Sequence, residues 1–291
     1  MVSVHCITFD HEPFIERALQ SFLDQQTSFP VEIVVGDDCS NDATRQIIES
    51  YLQRYPQRIR LVSSEFNVGP TANFERTLKA CRGKYIAICE GDDYWCDSTK
   101  LEQQVRFLES HSDYVMCFHD AVAFDESGFE DSPQLPASLQ KDATGLELVH
   151  ARPISTLSVC FRNVLTEIPP EIRQSPILDL CLWSLLGHFG EGKYLPTIKP
   201  AAYRKHGGGL MSLKSQSYRQ RTTAQAFLCL ARYYERIDMR RYASYFTRAA
   251  TISCAEASDT IDRLLCVAAI VDSLVLRPTQ KLRALLVRLR F

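Results

Sequence analysis

The feature that most constrains this chain is an alternation running through its first half. Short apolar runs at Val2–Phe9, Val31–Val35, Ile59–Ser63 and Tyr85–Cys89 are each followed by a longer segment whose apolar residues recur at helical spacing. Those segments are Phe14 through Leu23, about Thr44 to Tyr55, about Thr71 to Ala80, and Lys100 to Glu109. Strands separated by helices of roughly ten or more residues need crossover connections, so the pattern predicts an α/β fold with a mostly parallel central sheet covered on both faces. A nucleotide-binding architecture follows as the expectation. In such sheets ligands bind beyond the carboxyl ends of the strands. Acidic and small polar residues gather at those ends here: Thr8-Phe9-Asp10, Gly36-Asp37-Asp38-Cys39-Ser40 and Glu90-Gly91-Asp92-Asp93.

Farther along, Tyr114–Ala123 reads as another strand. Phe124–Gln140, rich in Ser, Pro, Asp and Glu and without periodicity, reads as a loop over the cleft. Helical spacing resumes at Leu178–Leu186, and Lys193–Ile198 and Ala201–Lys205 read as extended before His206-Gly207-Gly208-Gly209 breaks the pattern. From about Ser215 onward there is a single proline, Pro278, and no glycine, which predicts successive amphipathic helices. The expected organisation is an α/β domain over 1–213 and a helical region over 214–291. Near the end, Leu282, Leu285, Leu286 and Leu289 share a face among Lys281, Arg283, Arg288 and Arg290. That basic amphipathic helix has two readings, packing on neighbouring helices or a second subunit, and peripheral attachment to an anionic membrane.

Bulk properties exclude other classes. With 33 Lys+Arg against 35 Asp+Glu the net charge is −2, so no global field draws in nucleic acid. No apolar run approaches the ~20 residues of a membrane span. The 11 cysteines are odd in number, none lies in C-x-x-C, and Cys6, Cys89 and Cys117 sit in apolar runs, so they read as reduced structural thiols. No charged and apolar leader begins at Met1. The expected location is the cytoplasm, at the inner membrane face if the C-terminal helix binds lipid.

Glu90, Asp92 and Asp93 crowd one turn, where mutual repulsion makes ionisation costly unless a cation sits among them. Oxygen ligands favour Mg²⁺ or Mn²⁺, ions that bridge carboxylates to substrate phosphates; the plain alternative is a solvated acidic turn. A carboxylate in Gly36-Asp37-Asp38 can accept hydrogen bonds from a base or ribose, while Ser40 or Asp42 serves as an N-cap. Asn67-Val68-Gly69 supplies a glycine turn just before a helix.

Taken together, Val2-Ser3-Val4…Thr8-Phe9, Glu32 through Asp42, Asn67 through Phe74 and Gly83 through Trp95 resemble, in order and spacing over about 120 residues, the family 2 glycosyltransferases, the inverting group with the GT-A fold. The resemblance thins beyond that and resumes from Asp179 to Ser212. It implies that Thr8, Phe9, Asp10, Glu12 and Asp38 hold the base and ribose of a nucleotide-diphosphate sugar, a UDP-sugar, with Asn67 and Gly69 at the same site and Asn73 or Arg76 read as supplying the polar contacts of the family's Arg-Asn pair. The family's D-x-D metal motif falls on Glu90-Gly91-Asp92, with Glu90 in place of the usual first Asp. Asp92, Asp93 and His206 are the implied metal ligands, Arg204 or Lys205 the implied neutraliser of leaving-group charge, and Asp179, four residues before Trp183, the implied catalytic base. Two positions depart from the pattern: Phe74-Glu75 replaces Arg-Asn, and Leu178 replaces a Glu.

The implied reaction is a single in-line displacement with inversion onto an acceptor hydroxyl of a glycan or lipid-linked glycan, in surface polysaccharide or glycolipid synthesis. His119 and Asp120 are read either as facing the acceptor or as an ordinary strand end. Three rivals stand beside this reading. A nucleotidyltransferase would carry a glycine-rich basic loop where Thr8-Phe9-Asp10-His11-Glu12 stands, a nicotinamide oxidoreductase would show G-x-G-x-x-G, and a weakened nucleotide-sugar-binding module would explain Leu178 and Phe74.

Overall fold

The computed structural model describes residues 1–209 and 213–256. The basic helix expected at 278–291, and with it the membrane and dimer readings, lies outside the described residues. These residues form β1 (Val2–Thr8), α1 (Ile15–Leu23), β2 (Val31–Asp37), α2 (Thr44–Arg54), β3 (Ile59–Ser63), α3 (Pro70–Ala80), β4 (Tyr85–Ile88), α4 (Lys100–Ser110) and β5 (Tyr114–Phe118). There follow β6 (Ala121–Asp125), β7 (Gly128–Pro133), α5 (Gly145–Val149), β8 (Cys160–Arg162), α6 (Leu178–Leu186), β9 (Glu191–Tyr194), β10 (Ala201–Arg204), α7 (Gln216–Arg236) and α8 (Arg240–Glu256).

Among the described residues two compact units result, one of Met1–Ile168 with 182–209, the other of Pro169–Cys181 with 213–256. The first is built on a seven-stranded sheet of order β3-β2-β1-β4-β8-β5-β9. Strand β1 runs parallel to β2 and β4, β2 parallel to β3, and β5 parallel to β9, whereas β8 pairs antiparallel with both β4 and β5. The expected mostly parallel α/β sheet is therefore present. Because helices cover both faces of β1, its polar Ser3 and His5 are as buried as Val2, Val4 and Cys6. Ser3 compensates by accepting the Gly83 N–H at 2.7 Å, and His5 Nε2 lies 3.0 Å from the Phe74 carbonyl.

Two readings are corrected. Tyr114–Ala123 is not one strand: β5 belongs to the large sheet, and β6 to a second sheet of order β10-β6-β7. Phe124–Gln140 is not structureless either, since β7 pairs antiparallel with β6 through Phe124↔Phe129. An exposed edge strand needs no apolar alternation, which is why Gly-Phe-Glu-Asp-Ser-Pro read as loop. The small sheet is tied to the main sheet's turn by a two-way backbone bridge between Tyr94 and Ala202, at 3.3 and 2.9 Å.

In the second unit α7 starts at a Ser215 cap that accepts the Tyr218 N–H at 3.1 Å. It turns back into α8 at Asp238, whose φ is +58°, and buries Ala224 and Leu228 against Ala250 and Cys254. Among the described residues every cysteine is a free thiol, and no helix is long and apolar enough to cross a membrane.

Candidate active site

Three strand ends of the first unit carry the expected residues, and hydrogen bonds decide which side chains are committed to the scaffold. After β1 the chain passes through Asp10 in the left-handed region, at φ +51°, a conformation that Asp tolerates better than most residues. The Asp10 N–H donates to Ser40 Oγ at 3.0 Å, the His11 N–H to Thr44 Oγ1 at 2.8 Å, and the Glu12 N–H to Asp42 Oδ2 at 3.0 Å. In return Asp10 Oδ1 accepts the Asn41 N–H at 2.7 Å and Glu12 Oε2 the Ala43 N–H at 3.0 Å. The Asp10 and Glu12 carboxylates thus satisfy free amides at the entry to α2. Phe9 is left partly exposed at 38 %, and Thr8 is buried with its Oγ1 unpaired.

At the end of β2, Asp37 accepts the Ser40 hydroxyl proton. Asp38, only 2 % exposed, accepts the N–H groups of Val68 and Gly69 at 2.9 and 2.8 Å and pairs with Arg76 at 3.4 Å. Gly69 takes φ +87°, which suits a residue without a Cβ, and its N–H also lies 3.0 Å from Asn67 Oδ1. Arg76 donates to the Asp37 carbonyl at 2.6 Å and to Asn73 Oδ1 at 2.9 Å, and Asn73 donates to the Gly36 carbonyl at 2.8 Å. Asn73 and Arg76 therefore serve β2's end where the Arg-Asn pair is missing, while Phe74 is buried against the His5 ring at 4.1 Å.

The turn after β4 packs on the first. The Gly91 N–H donates to the Ile7 carbonyl at 2.9 Å, and a Cβ on Gly91 would stand 2.8 Å from Thr8 Oγ1 and 2.9 Å from Ile15 Cδ1. Asp92 Oδ2 lies 2.9 Å from His206 Nε2 and 3.8 Å from His11 Nε2. The three ligand atoms fall within 4.8 Å of one another. Burial opposes the Asp92 charge, but the hydrogen bond from His206 and the nearness of His11 outweigh it and hold its carboxyl below the usual range. For His11 burial dominates and lowers the imidazole pKa, with Asp92 acting in the opposite sense. A neutral imidazole beside a charged carboxylate is a donor set that fits a divalent cation.

Asp93, expected as a ligand, lies outside this group. It is buried, and its Oδ1 accepts the Arg204 N–H at 2.7 Å. Burial first, then the Asp92 and Glu90 charges, push its carboxyl well above the usual range. Glu90 is half-buried in the same turn. Arg204 donates from Nε to the Asp92 carbonyl at 2.8 Å, with its guanidinium 4.5 Å from both the Phe14 and Phe124 ring centres. Lys205 forms an ion pair with Glu130. Sequence reasoning missed His11 and Phe14; the ring of Phe14 packs 4.8 Å from that of His206. The usable signal was a histidine between the two acids of the loop after β1.

His119 is fully buried with neither ring nitrogen hydrogen-bonded, and Asp120 accepts the Tyr194 hydroxyl at 2.6 Å. In the second unit's Pro169–Cys181 segment, Asp179 sits in the first turn of α6, where its Oδ1 accepts the Leu180 N–H at 2.7 Å. Leu178 beside it is buried.

Residues 3–165 match the model of the family described as glycosyl transferase family 2. An uncharacterized protein of Mycobacterium tuberculosis, Rv1520, is 38% identical over 211 residues, covering 72% of this chain and 60% of that protein. The chain thus spans about 60% of the length of such relatives. A Bacillus subtilis protein named as the teichuronic acid biosynthesis glycosyltransferase TuaG is 32% identical over 167 residues, covering 57% of this chain and 58% of its own. Among solved structures, S. aureus TarS 1-349 in complex with UDP-GlcNAc aligns at a TM-score of 0.59 and 20% identity, covering 94% of this chain and 88% of that one. A Pyrobaculum calidifontis mannosyltransferase in complex with GDP-Man and Mn²⁺ aligns at 0.59 and 15% identity, covering 97% and 82%.

Proposed function

This chain belongs to glycosyl transferase family 2, and from that membership we propose that it is an inverting glycosyltransferase. In this reading it moves a sugar from a nucleotide-diphosphate sugar, a UDP-sugar, to an acceptor hydroxyl of a glycan or lipid-linked glycan in surface polysaccharide or glycolipid synthesis. The observation that carries the reading is the meeting of Asp92, His206 and His11 beyond the carboxyl ends of β1 and β4, beside the Asp38–Arg76 anchor at the end of β2. Neighbours of the same fold bound to UDP-GlcNAc and to GDP-Man with Mn²⁺ support a nucleotide-sugar donor and a divalent metal. The teichuronic acid relative supports a polysaccharide role.

Asp92 and His206 would hold the metal, Mg²⁺ or Mn²⁺. When bound, it supplies positive charge to the departing diphosphate. The loop Thr8–Glu12 and the Asn67–Gly69 turn, fixed by Asp38, shape the nucleoside site. Asn73 and Arg76 hold its floor, and Arg204 keeps the Asp92 turn in register. Asp179 takes the proton of the attacking hydroxyl, a role resting on its sequence position four residues before Trp183. In this scheme residues 1–213 form the transferase domain and 214–291 an appended helical region.

Purified protein incubated with Mn²⁺, a set of nucleotide-sugars and acceptor glycans should release nucleoside diphosphate. Pyrophosphate release from a nucleoside triphosphate and a sugar phosphate would instead identify a nucleotidyltransferase. Donor binding with no turnover on any acceptor would identify a binding module.

A further inference from the structure

We propose that His11 is a third protein ligand of the cation site, and that two imidazoles with one carboxylate make this site prefer a transition-series divalent ion over Mg²⁺. The inference rests on the reading of Asp92 and His206 as metal ligands and deepens it. Its basis is geometric. Ligand atoms about 2.1 Å from one ion stand about 3 Å apart at right angles and about 4 Å apart across it. Asp92 Oδ2 lies 2.9 Å from His206 Nε2 and 3.8 Å from His11 Nε2, and all three atoms fall within 4.8 Å of one another.

The 3.8 Å separation is too long for a hydrogen bond, so His11 and Asp92 do not satisfy each other directly. His11 Nδ1 is also buried without a partner, which leaves Nε2 and its approach to Asp92 as the ring's polar engagement. The ring is nevertheless held in place. Its backbone N–H is fixed by Thr44 at 2.8 Å, and the ring packs edge-on to His206 at 5.8 Å and beside Phe14 at 6.1 Å. An aimed imidazole with an open nitrogen next to a carboxylate and a second imidazole is the arrangement a metal ion completes.

Donor identity then decides the ion. Mg²⁺ sheds water reluctantly and favours carboxylate and phosphate oxygens, whereas imidazole suits first-row transition ions such as Zn²⁺, and Mn²⁺ accepts either donor type. The acidic turn read alone pointed to oxygen ligands. His11 and His206 shift the balance toward nitrogen.

The test uses the full chain without nucleotide, following Mn²⁺ by loss of the free-ion electron paramagnetic resonance signal. The wild type should bind Mn²⁺ and keep most of it against a hundredfold excess of Mg²⁺. His11→Asn should weaken Mn²⁺ binding roughly tenfold or more and narrow the preference over Mg²⁺. Zn²⁺ added to wild-type protein with ¹⁵N-labelled histidine should shift two imidazoles together, a readout independent of how any variant folds. If only one imidazole responds, or if His11→Asn binds Mn²⁺ like the wild type while Asp92→Asn does not, the role of His11 is overturned and the Asp92–His206 reading stands. If Asp92→Asn also binds like the wild type, that underlying reading fails.

Discussion

Asp92 Oδ2 and His206 Nε2 are 2.9 Å apart although 114 residues separate them in the chain. The second sheet closes that gap. Strand β10 pairs with β6 through Ala201↔Ala121 to Arg204↔Phe124, Ala202 bridges to Tyr94, and the Arg204 N–H donates to Asp93. The segment carrying His206 is thereby held at the turn carrying Asp92, so in our reading Asp93 is a positioning residue. Asp93→Asn, which keeps a carbonyl for the Arg204 N–H and replaces a carboxyl whose ionisation is already disfavoured beside Asp92 and Glu90, should fold normally and retain Mn²⁺ affinity within a fewfold. Asp93→Ala should lose about 1–3 kcal/mol of stability and weaken Mn²⁺ binding with it. Chemical denaturation and Mn²⁺ titration of both variants check this; loss of metal binding in Asp93→Asn would make Asp93 a ligand after all.

Asp179 is the residue whose assignment rests most on pattern. A carboxylate acting as general base contributes when the acceptor attacks, not when the donor binds. Asp179→Asn should leave donor affinity, read by calorimetry, within about twofold. Turnover should fall by about 10²–10⁴-fold, the usual range for general base catalysis. Wild-type turnover in the Asn variant would refute the role.

What could be read in advance follows from where the information lies. Strands β1 to β4 and helices α1 to α4 are each a local run of apolar residues at a local period, and their positions were legible. Strand β8 is three residues, Cys160–Arg162, and exists because β4 and β5 leave a slot between them, a fact no window around Cys160 contains. The edge strand β7 is exposed along its length and owes its form to pairing with β6. At the candidate site, Asp92 and His206, which the structure brings into contact, were singled out because each stands in a motif. His11 was not, because its neighbourhood depends on β1 lying beside β4 and on the small sheet that delivers His206. Asp93 shows the converse: adjacent to Asp92 in sequence, it makes its hydrogen bond in another direction.

His5 supplies a pH prediction. Burial in the sheet lowers its pKa from 6.5 to about 4, only partly offset by its bond to the Phe74 carbonyl. The unfolded chain takes up this proton near pH 6.5 and the folded chain only near pH 4, so His5's contribution is complete above 6.5 and is lost as the pH falls toward 4. One proton gives a slope of at most about 1.4 kcal/mol per pH unit, and about 3 kcal/mol across that window. Buried His119, its pKa also lowered by desolvation, acts in the same direction. In His5→Gln, whose amide can still donate to Phe74, the loss of stability between pH 7 and pH 5, measured by urea unfolding, should be smaller than in the wild type. An unchanged pH dependence would show that His5 does not titrate in the unfolded chain as supposed.

Asp38 separates a direct role in donor binding from an architectural one. Both its oxygens accept backbone N–H groups, from Val68 and Gly69, and one also meets Arg76. In Asp38→Asn one of those half-buried N–H groups would face an NH₂ donor and lose its acceptor, and the Arg76 guanidinium would lose its counter-charge. The expected cost is about 1–3 kcal/mol, with nucleotide affinity falling as the Asn67–Gly69 turn loosens. Asp38→Glu keeps the charge and the acceptors but lengthens the arm by one methylene in a buried site, so it too should disturb the turn. If Asp38 acts through the turn, stability and affinity should fall together in both variants. If it instead reaches the nucleoside itself, Asp38→Asn should lose affinity by tenfold or more at unchanged stability. Paired denaturation and nucleoside-diphosphate titrations distinguish the two, and by placing Asp38 at the turn the structure favours the first.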